Sequence, residues 1–408
     1  MNLLCVAVPL FDANMEVRCY RLRFQEDENT YGFVNDSAMN ADPTHAPGLE
    51  MLNIIGIEPF TGGKPIFVDI NQFELLTDAP QESSVTPSCL TCVLSKEITA
   101  TEMFLQKCQR LHEGGYAIAL DGIPYTPETY ALYAHANFVI VDIKEENALK
   151  RYLDIRRRLP AIRVLFTGIQ QAQDFNNLRS VPGALFEGSF YSEPLTKANY
   201  SVTTLRAAAL QLLKIVSDDD FDLELVSDVI KKDPSIAISL LRFINSPAVG
   251  VRQKIGSINS AVALLGQNEV RKWIAVAVSA QLASDKPTEI TKLLLTRAKF
   301  AENLADCFQM KEESASLFLA ALFSLLDVML GKPMAEAVKE VGLNPKVSEA
   351  LVEQQGQYYE VLDFIHQYER ADWSSVMITM IKKDIKVDAV NKAFVDALVW
   401  YKQLVPKG

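Results

Sequence analysis

The stretch from residue 233 to 281 most narrows what this chain can fold into. Asp233 is a helix N-cap type, and Pro234 sits at a first helical position, where a missing N–H costs nothing. Ile236, Leu240, Leu241 and Ile244 follow at helical spacing and form one apolar stripe, with Leu241 expected inside and Arg242 outside. Asn245-Ser246-Pro247 ends that helix, because proline disfavours helical geometry in the residue before it. Ser257 opens a second helix carrying Ile258, Val262 and Leu265 on one face, with Gly266 as terminator. Asn268 is expected to cap a third helix through Trp273, Ile274, Ala277 and Val278. That helix is apolar nearly all round, so it belongs at the centre of a helical core.

At 408 residues the chain exceeds one typical core, and two domains are expected. From residue 202 onwards every apolar pattern is helical, from Leu205, Ala208, Leu212 and Val216 to Val390, Phe394, Ala397 and Tyr401. Before that point strands alternate with helices. Strands are expected at 3–8, 17–24, 64–70, 90–94, 116–120, 138–141, 163–167 and 184–188. Helices are expected at 49–57, 101–113, 126–135, 145–159 and 172–178. Such alternation implies a mostly parallel sheet or barrel. The boundary is placed at 194–202, giving domains 1–197 and 198–408.

The net charge of −11 argues against a general nucleic-acid binder. The acidity sits in the first half, where residues 1–197 carry 16 Lys+Arg against 25 Asp+Glu. The first seventeen residues lack a basic leader, and the apolar run 315–331 carries Asp327 and reads as a buried helix. A cytoplasmic, membrane-free location with six free thiols is expected. Cys89-Leu-Thr-Cys92 is read as strand, since no second pair is spaced to complete a zinc site. Arg156, Arg157 and Arg158 end a helix, where cations favour the macrodipole.

The central stretch resembles the HDOD domain signature. Asp233, Pro234, Leu241, Arg242, Asn245, Ser246 and Gly250 fit its first part. Ser257, Ile258, Ala261, Val262, Leu265, Gly266, Val270 and Arg271 fit the second. The opening AVPLFDANMEVRCYRLRFQ, together with CQRLHEGGYAIALDG, FEGSFYSEPL and LFSLLDVMLGKPM, resembles the EAL–HDOD tandem signalling proteins. The resemblance implies a fold that is α/β plus all-α: a degenerate, truncated TIM-like EAL barrel followed by an α-helical HDOD bundle.

An EAL domain that hydrolyses cyclic di-GMP does so with metal-bound water held by carboxylates and an Asn at the strand ends. The resemblance places Arg21 at the motif's glutamate and Gln25 at its substrate-binding arginine. Asp69 falls at the second-strand Asn, and the third-strand Glu at Ser95 or, two places on, Glu97. Asp121-Gly122 replaces a double Asp, Ile140 a catalytic Lys two places before Asp142, and Thr167 a late Glu. Asp69, Asp121 and Asp142 remain as a vestigial pocket or as solvated strand ends. The HDOD half resembles HD phosphohydrolases, which need a His-Asp pair. The four histidines precede Ala46, Glu113, Ala136 and Gln367, so none is present, and His366 reads as a helix-surface residue.

The expectation is therefore a chain with no catalytic, cofactor-binding or metal residues, and no enzyme. It is expected to be a bacterial-type scaffold or adaptor whose partners are other signalling proteins, with self-association left open and no nucleic acid. The alternatives are a cyclic di-GMP sensor that binds without hydrolysis and, third, residual phosphodiesterase activity.

Overall fold

The computed structural model describes residues 4–25, 47–96, 98–192, 204–217, 221–232 and 234–405. Two compact units divide the chain, Asn2–Tyr191 and Ser192–Gly408. The expected boundary at 194–202, Asp233 and Glu97 lie outside the described residues.

The first unit is a closed eight-stranded barrel. Its strands are β1 (Cys5–Phe11), β2 (Val17–Phe24), β3 (Ile66–Ile70), β4 (Leu90–Leu94), β5 (Ala117–Asp121), β6 (Phe138–Asp142), β7 (Arg163–Ile169) and β8 (Leu185–Gly188). β1 and β2 form an antiparallel hairpin, with Val8 opposite Arg21 and Leu10 opposite Cys19. From β2 to β8 neighbours run parallel, and β8 closes on β1 antiparallel through Leu10↔Glu187 and Phe11↔Phe186. β1 runs to Phe11, three residues past the expected end, despite Pro9. Its partner Tyr20 donates its N–H to the carbonyl of Pro65 across the other edge of β2, so Pro9 lacks no ladder bond there.

Side chains alternate between the two faces of each strand. The inward set Leu10, Cys19, Phe67, Val93, Ala119, Phe138, Ile140, Leu165 and Leu185 packs into an apolar plug. At the tightest approach, Gly188 has φ +157 and a Cβ there would lie 1.7 Å from the carbonyl oxygen of Ile169, so only glycine lets β8 meet β7. All eight strands are present, and the shortening relative to a typical barrel of about 250 residues falls on the helical layer. Between β5 and β6 only the single turn Tyr130–Tyr133 is helical, where a helix over 126–135 was expected. Thr126–Thr129 is instead a turn in which the Thr129 hydroxyl accepts from the Thr126 N–H.

The described residues of the second unit form helices and their connecting turns. Helix Gln267–Leu282 is buried on every side, with Trp273, Ile274, Ala275, Val276, Ala277 and Val278 at most 2% exposed. Its N-cap is Gly266, and Asn268 lies inside the first turn rather than at the expected cap. Helix Pro234–Ile244 presents Ile236, Leu240 and Ile244 to the core at 0% exposure, while Leu241 is only partly buried and Arg242 is exposed. The inward leucine is thus Leu240. The helix packs against Gln267–Leu282 and Leu223–Lys232 with a face turned about one residue from the one the stripe suggests, burying Phe243 as well. Lys311–Leu330 is long and apolar enough to cross a membrane by length and composition. It is broken by a 3-10 turn at Phe323–Leu325, and 67% of its apolar window is buried inside the fold.

Candidate functional site

Above the plug, the inward positions at the carboxyl ends of the strands turn polar, where parallel barrels place their chemistry. Arg21 on β2, Asp69 at the end of β3 and Asp121 at the end of β5 meet there. One guanidinium nitrogen, Nη2, donates to Asp69 Oδ1 and to Asp121 Oδ2, at 2.7 Å each. Arg21 is 2% exposed, whereas the two aspartates keep a solvated edge. Burial disfavours the arginine's charge, but Asp69, Glu187 and Asp121 around it outweigh that and push its pKa further up. Beside this group Arg23 Nη2 donates to Glu187 Oε1 at 2.8 Å.

Several polar atoms in this layer are left without partners. Arg21 Nε and Nη1, Glu187 Oε2 and both amide atoms of Gln25 are buried and unbonded. Asp142 stands apart: its Oδ1 accepts from the Lys144 N–H at 2.9 Å, shaping the turn after β6. A Cβ at Gly168 would sit 2.4 Å from the same oxygen, so this carboxylate fills the space glycine leaves. Ile140 belongs to the plug, Thr167 is buried, and Gly122 takes φ +67. The structure therefore joins Asp69 and Asp121 but not Asp142. The joined pair are ion-paired rather than merely solvated strand ends. Arg23 and Glu187, 164 residues apart, were missed by sequence reasoning. The one sequence clue was Glu187's place at the end of the last strand.

The EAL resemblance implies Mg²⁺ at this mouth, and the residues do not fit it. Among the described residues no three His, Cys, Asp or Glu side chains are grouped to hold a metal ion. Each aspartate directs one oxygen to Arg21. A divalent cation about 4 Å from a unit positive charge is repelled by about 8 kcal/mol at an effective dielectric of about 20. The thiols offer no substitute: burial pushes Cys5 and Cys19 up to about 12, Cys92 higher still, and all six cysteines are free.

In the helical unit the signature residues serve the fold. Asn245 donates to the carbonyls of Leu241 (2.7 Å) and Ile255 (2.8 Å) and accepts from the Ile255 N–H (2.7 Å), so one amide closes the loop between two helices. Arg271 donates to the carbonyls of Val216 and Ser217, satisfying the open end of helix Thr204–Val216. A second buried network surrounds Arg297, whose Nε and Nη2 grip both oxygens of Glu369 while Nη1 donates to Ser324 Oγ. His366 lies against it, partly buried and not on a solvated helix surface. Burial first, then the charges of Arg297 and Arg370, lower its pKa to about 3.

Residues 202–353 match the HDOD domain family. The helical half carries an HDOD domain. The whole chain is 26% identical over 421 residues to the uncharacterized protein YuxH of Bacillus subtilis, covering 99% of each. It is also 26% identical over 405 residues to the cyclic di-GMP phosphodiesterase CdgJ of Vibrio cholerae, covering 97% of this chain and 91% of that one. Among solved structures, an EAL domain protein of Listeria monocytogenes shares 17% identity at a TM-score of 0.35, covering 47% of this chain and 88% of that one. A closed eight-stranded barrel followed by a helical unit with an HDOD domain is the architecture, in the order that the sequence resemblance implied. The expectation that the chain is no enzyme is corrected here: a relative matching 97% of it bears the name of a phosphodiesterase. The substitutions at Arg21, Gln25, Gly122 and Ile140 were read as removing catalysis, and that reading does not stand against an end-to-end relative so named.

Proposed function

We propose that this chain is a cytoplasmic signalling protein of the cyclic di-GMP network that delivers its output through protein–protein contacts, as a scaffold or adaptor. The observation that carries the reading is the saturation of the barrel mouth by its own charges, Arg21 with Asp69 and Asp121 and Arg23 with Glu187. Both arginines that β2 carries to that mouth are turned onto carboxylates. The helical unit meanwhile exposes large apolar side chains, among them Ile378 and Ile381 one turn apart on helix Trp373–Lys383, beyond the HDOD match. The test is complementation of the signalling phenotype in the native cell. Ile378→Glu/Ile381→Glu, folded by circular dichroism, is expected to lose it, and Asp121→Asn to keep it. The reverse pattern would sink the reading.

A second reading is favoured by the likeness to CdgJ along nearly the whole chain: the barrel mouth binds and cleaves cyclic di-GMP. It predicts metal-dependent turnover by the purified chain that Asp121→Asn abolishes. Incubation with cyclic di-GMP and Mg²⁺ or Mn²⁺, followed by chromatography of the linear product, separates the two.

A further inference from the structure

We infer that the outer flank of helix Ala148–Arg158 is the seat of a second copy of this chain, two barrels meeting there about a two-fold axis with these helices antiparallel. The inference concerns the barrel wall and rests on neither reading of the mouth.

Helix Ala148–Arg158 turns Ala148, Tyr152 and Ile155 onto the barrel, where all three are buried. That is the one apolar stripe a covering helix needs, yet this helix carries a second. Leu149 and Leu153, four residues apart and so neighbours on one flank, are 40% and 42% exposed. They wall a cleft of about 580 Å³ that Leu178, at the end of helix Ala172–Leu178, lines as well. The 7 residues of that second helix span roughly 10 Å against roughly 16 Å for the 11 of the first, too short to cover the whole flank.

The charges around the cleft decide what covers it. Glu145 and Glu146 stand just before the helix, and Arg156, Arg157 and Arg158 form its last turn. Glu145 and Arg157 both lie on the rim of the cleft. A uniformly acidic or basic partner would suit one end and be repelled by the other, whereas the same helix reversed suits both. A two-fold axis through the middle of the helix sets Leu149 against Leu153 of the second copy. It likewise sets Glu145 against Arg157 and Glu146 against Arg156 of that copy, each contact being made twice. Reversal also lays the positive end of each helix dipole beside the negative end of the other. The local pairs of Glu145 with Arg151 and of Asp154 with Arg157 leave this open, because both are at the exposed surface, where ion pairs hold weakly.

The experiment is sedimentation equilibrium of the full chain up to about 100 μM, a range that reaches interfaces of micromolar affinity, with folding followed by circular dichroism. Wild type is expected at twice the chain mass. Leu149→Glu/Leu153→Glu, at positions already partly in water, should fold and sediment as one chain. Glu145→Lys/Glu146→Lys and Arg156→Glu/Arg157→Glu should each be monomeric alone, because like charges then meet. Mixed in equal amounts they should regain the dimer, since every facing pair is again of opposite sign, and that recovery shows that both fold. A wild type that stays at the mass of one chain overturns the inference and leaves the cleft to a different protein. A dimer that survives the leucine replacements overturns it too, as do charge variants that dimerise unmixed or stay monomeric when mixed.

Discussion

Replacing Arg297 by Met tests how far the helical unit depends on one buried ion pair. Arg297 is 5% exposed and makes three side-chain bonds: Nε to Glu369 Oε1 at 2.9 Å, Nη2 to Glu369 Oε2 at 2.6 Å and Nη1 to Ser324 Oγ at 2.6 Å. Methionine fills similar volume but leaves the mostly buried Glu369 carboxylate unpaired. Breaking a buried pair from one side costs about 3–5 kcal/mol. With a urea slope of about 2 kcal/mol per molar, the unfolding midpoint should fall by about 2 M. The three tryptophans, Trp273, Trp373 and Trp400, all lie in the helical unit, so tryptophan fluorescence follows that unit alone. Removing both charges in Arg297→Met/Glu369→Leu should restore most of the loss, since a well-packed apolar replacement is often neutral. A single-variant loss below about 1 kcal/mol, the size of an exposed pair, would refute the burial argument.

Leu240→Ala should cost about 2–5 kcal/mol in urea denaturation, Leu241→Ala distinctly less and Arg242→Ala almost nothing; equal losses at Leu240 and Leu241 would show that the helix face is misassigned. His366 has a folded pKa of about 3 against an ordinary 6.5, so between those values the unfolded chain binds the extra proton. Its contribution is fully present above pH 6.5 and is lost on acidification at up to about 1.4 kcal/mol per pH unit. From pH 7 to 4 the stability of wild type should fall relative to that of His366→Gln, and parallel curves would exclude the effect. A fragment spanning 198–408 is expected to unfold cooperatively on heating, and an aggregating, non-cooperative fragment would mean that the barrel completes its core.

Much of the barrel is legible in the strand pattern. β2, β4 and the helix Ala172–Leu178 coincide with the expected spans, and the other strands differ by a few residues at their ends. The exception is the helix expected over 126–135. Apolar spacing there is compatible with a helix, but the Thr129 hydroxyl bonds the carbonyls of Pro124 and Thr126, accepts from the Thr126 N–H and holds a turn instead. At the site, the replaced positions could be named from resemblance, and Asp69 and Asp121 were singled out. Their pairing through Arg21 could not.

The division follows from the range of the forces. Strand alternation, helical stripes, Ser257 capping Ser260 and Gly266 ending its helix are set by residues within a few positions of one another, so the linear chain carries them completely. Arg21 lies 48 residues from Asp69 and 100 from Asp121, and Arg23 lies 164 from Glu187. Only closure of the barrel brings these charges within hydrogen-bond distance. Burial then decides their character, because a guanidinium removed from water must find carboxylates. The same holds for Leu240 over Leu241 and for His366: each belongs to a helix whose neighbours, not its own periodicity, choose the face turned inward.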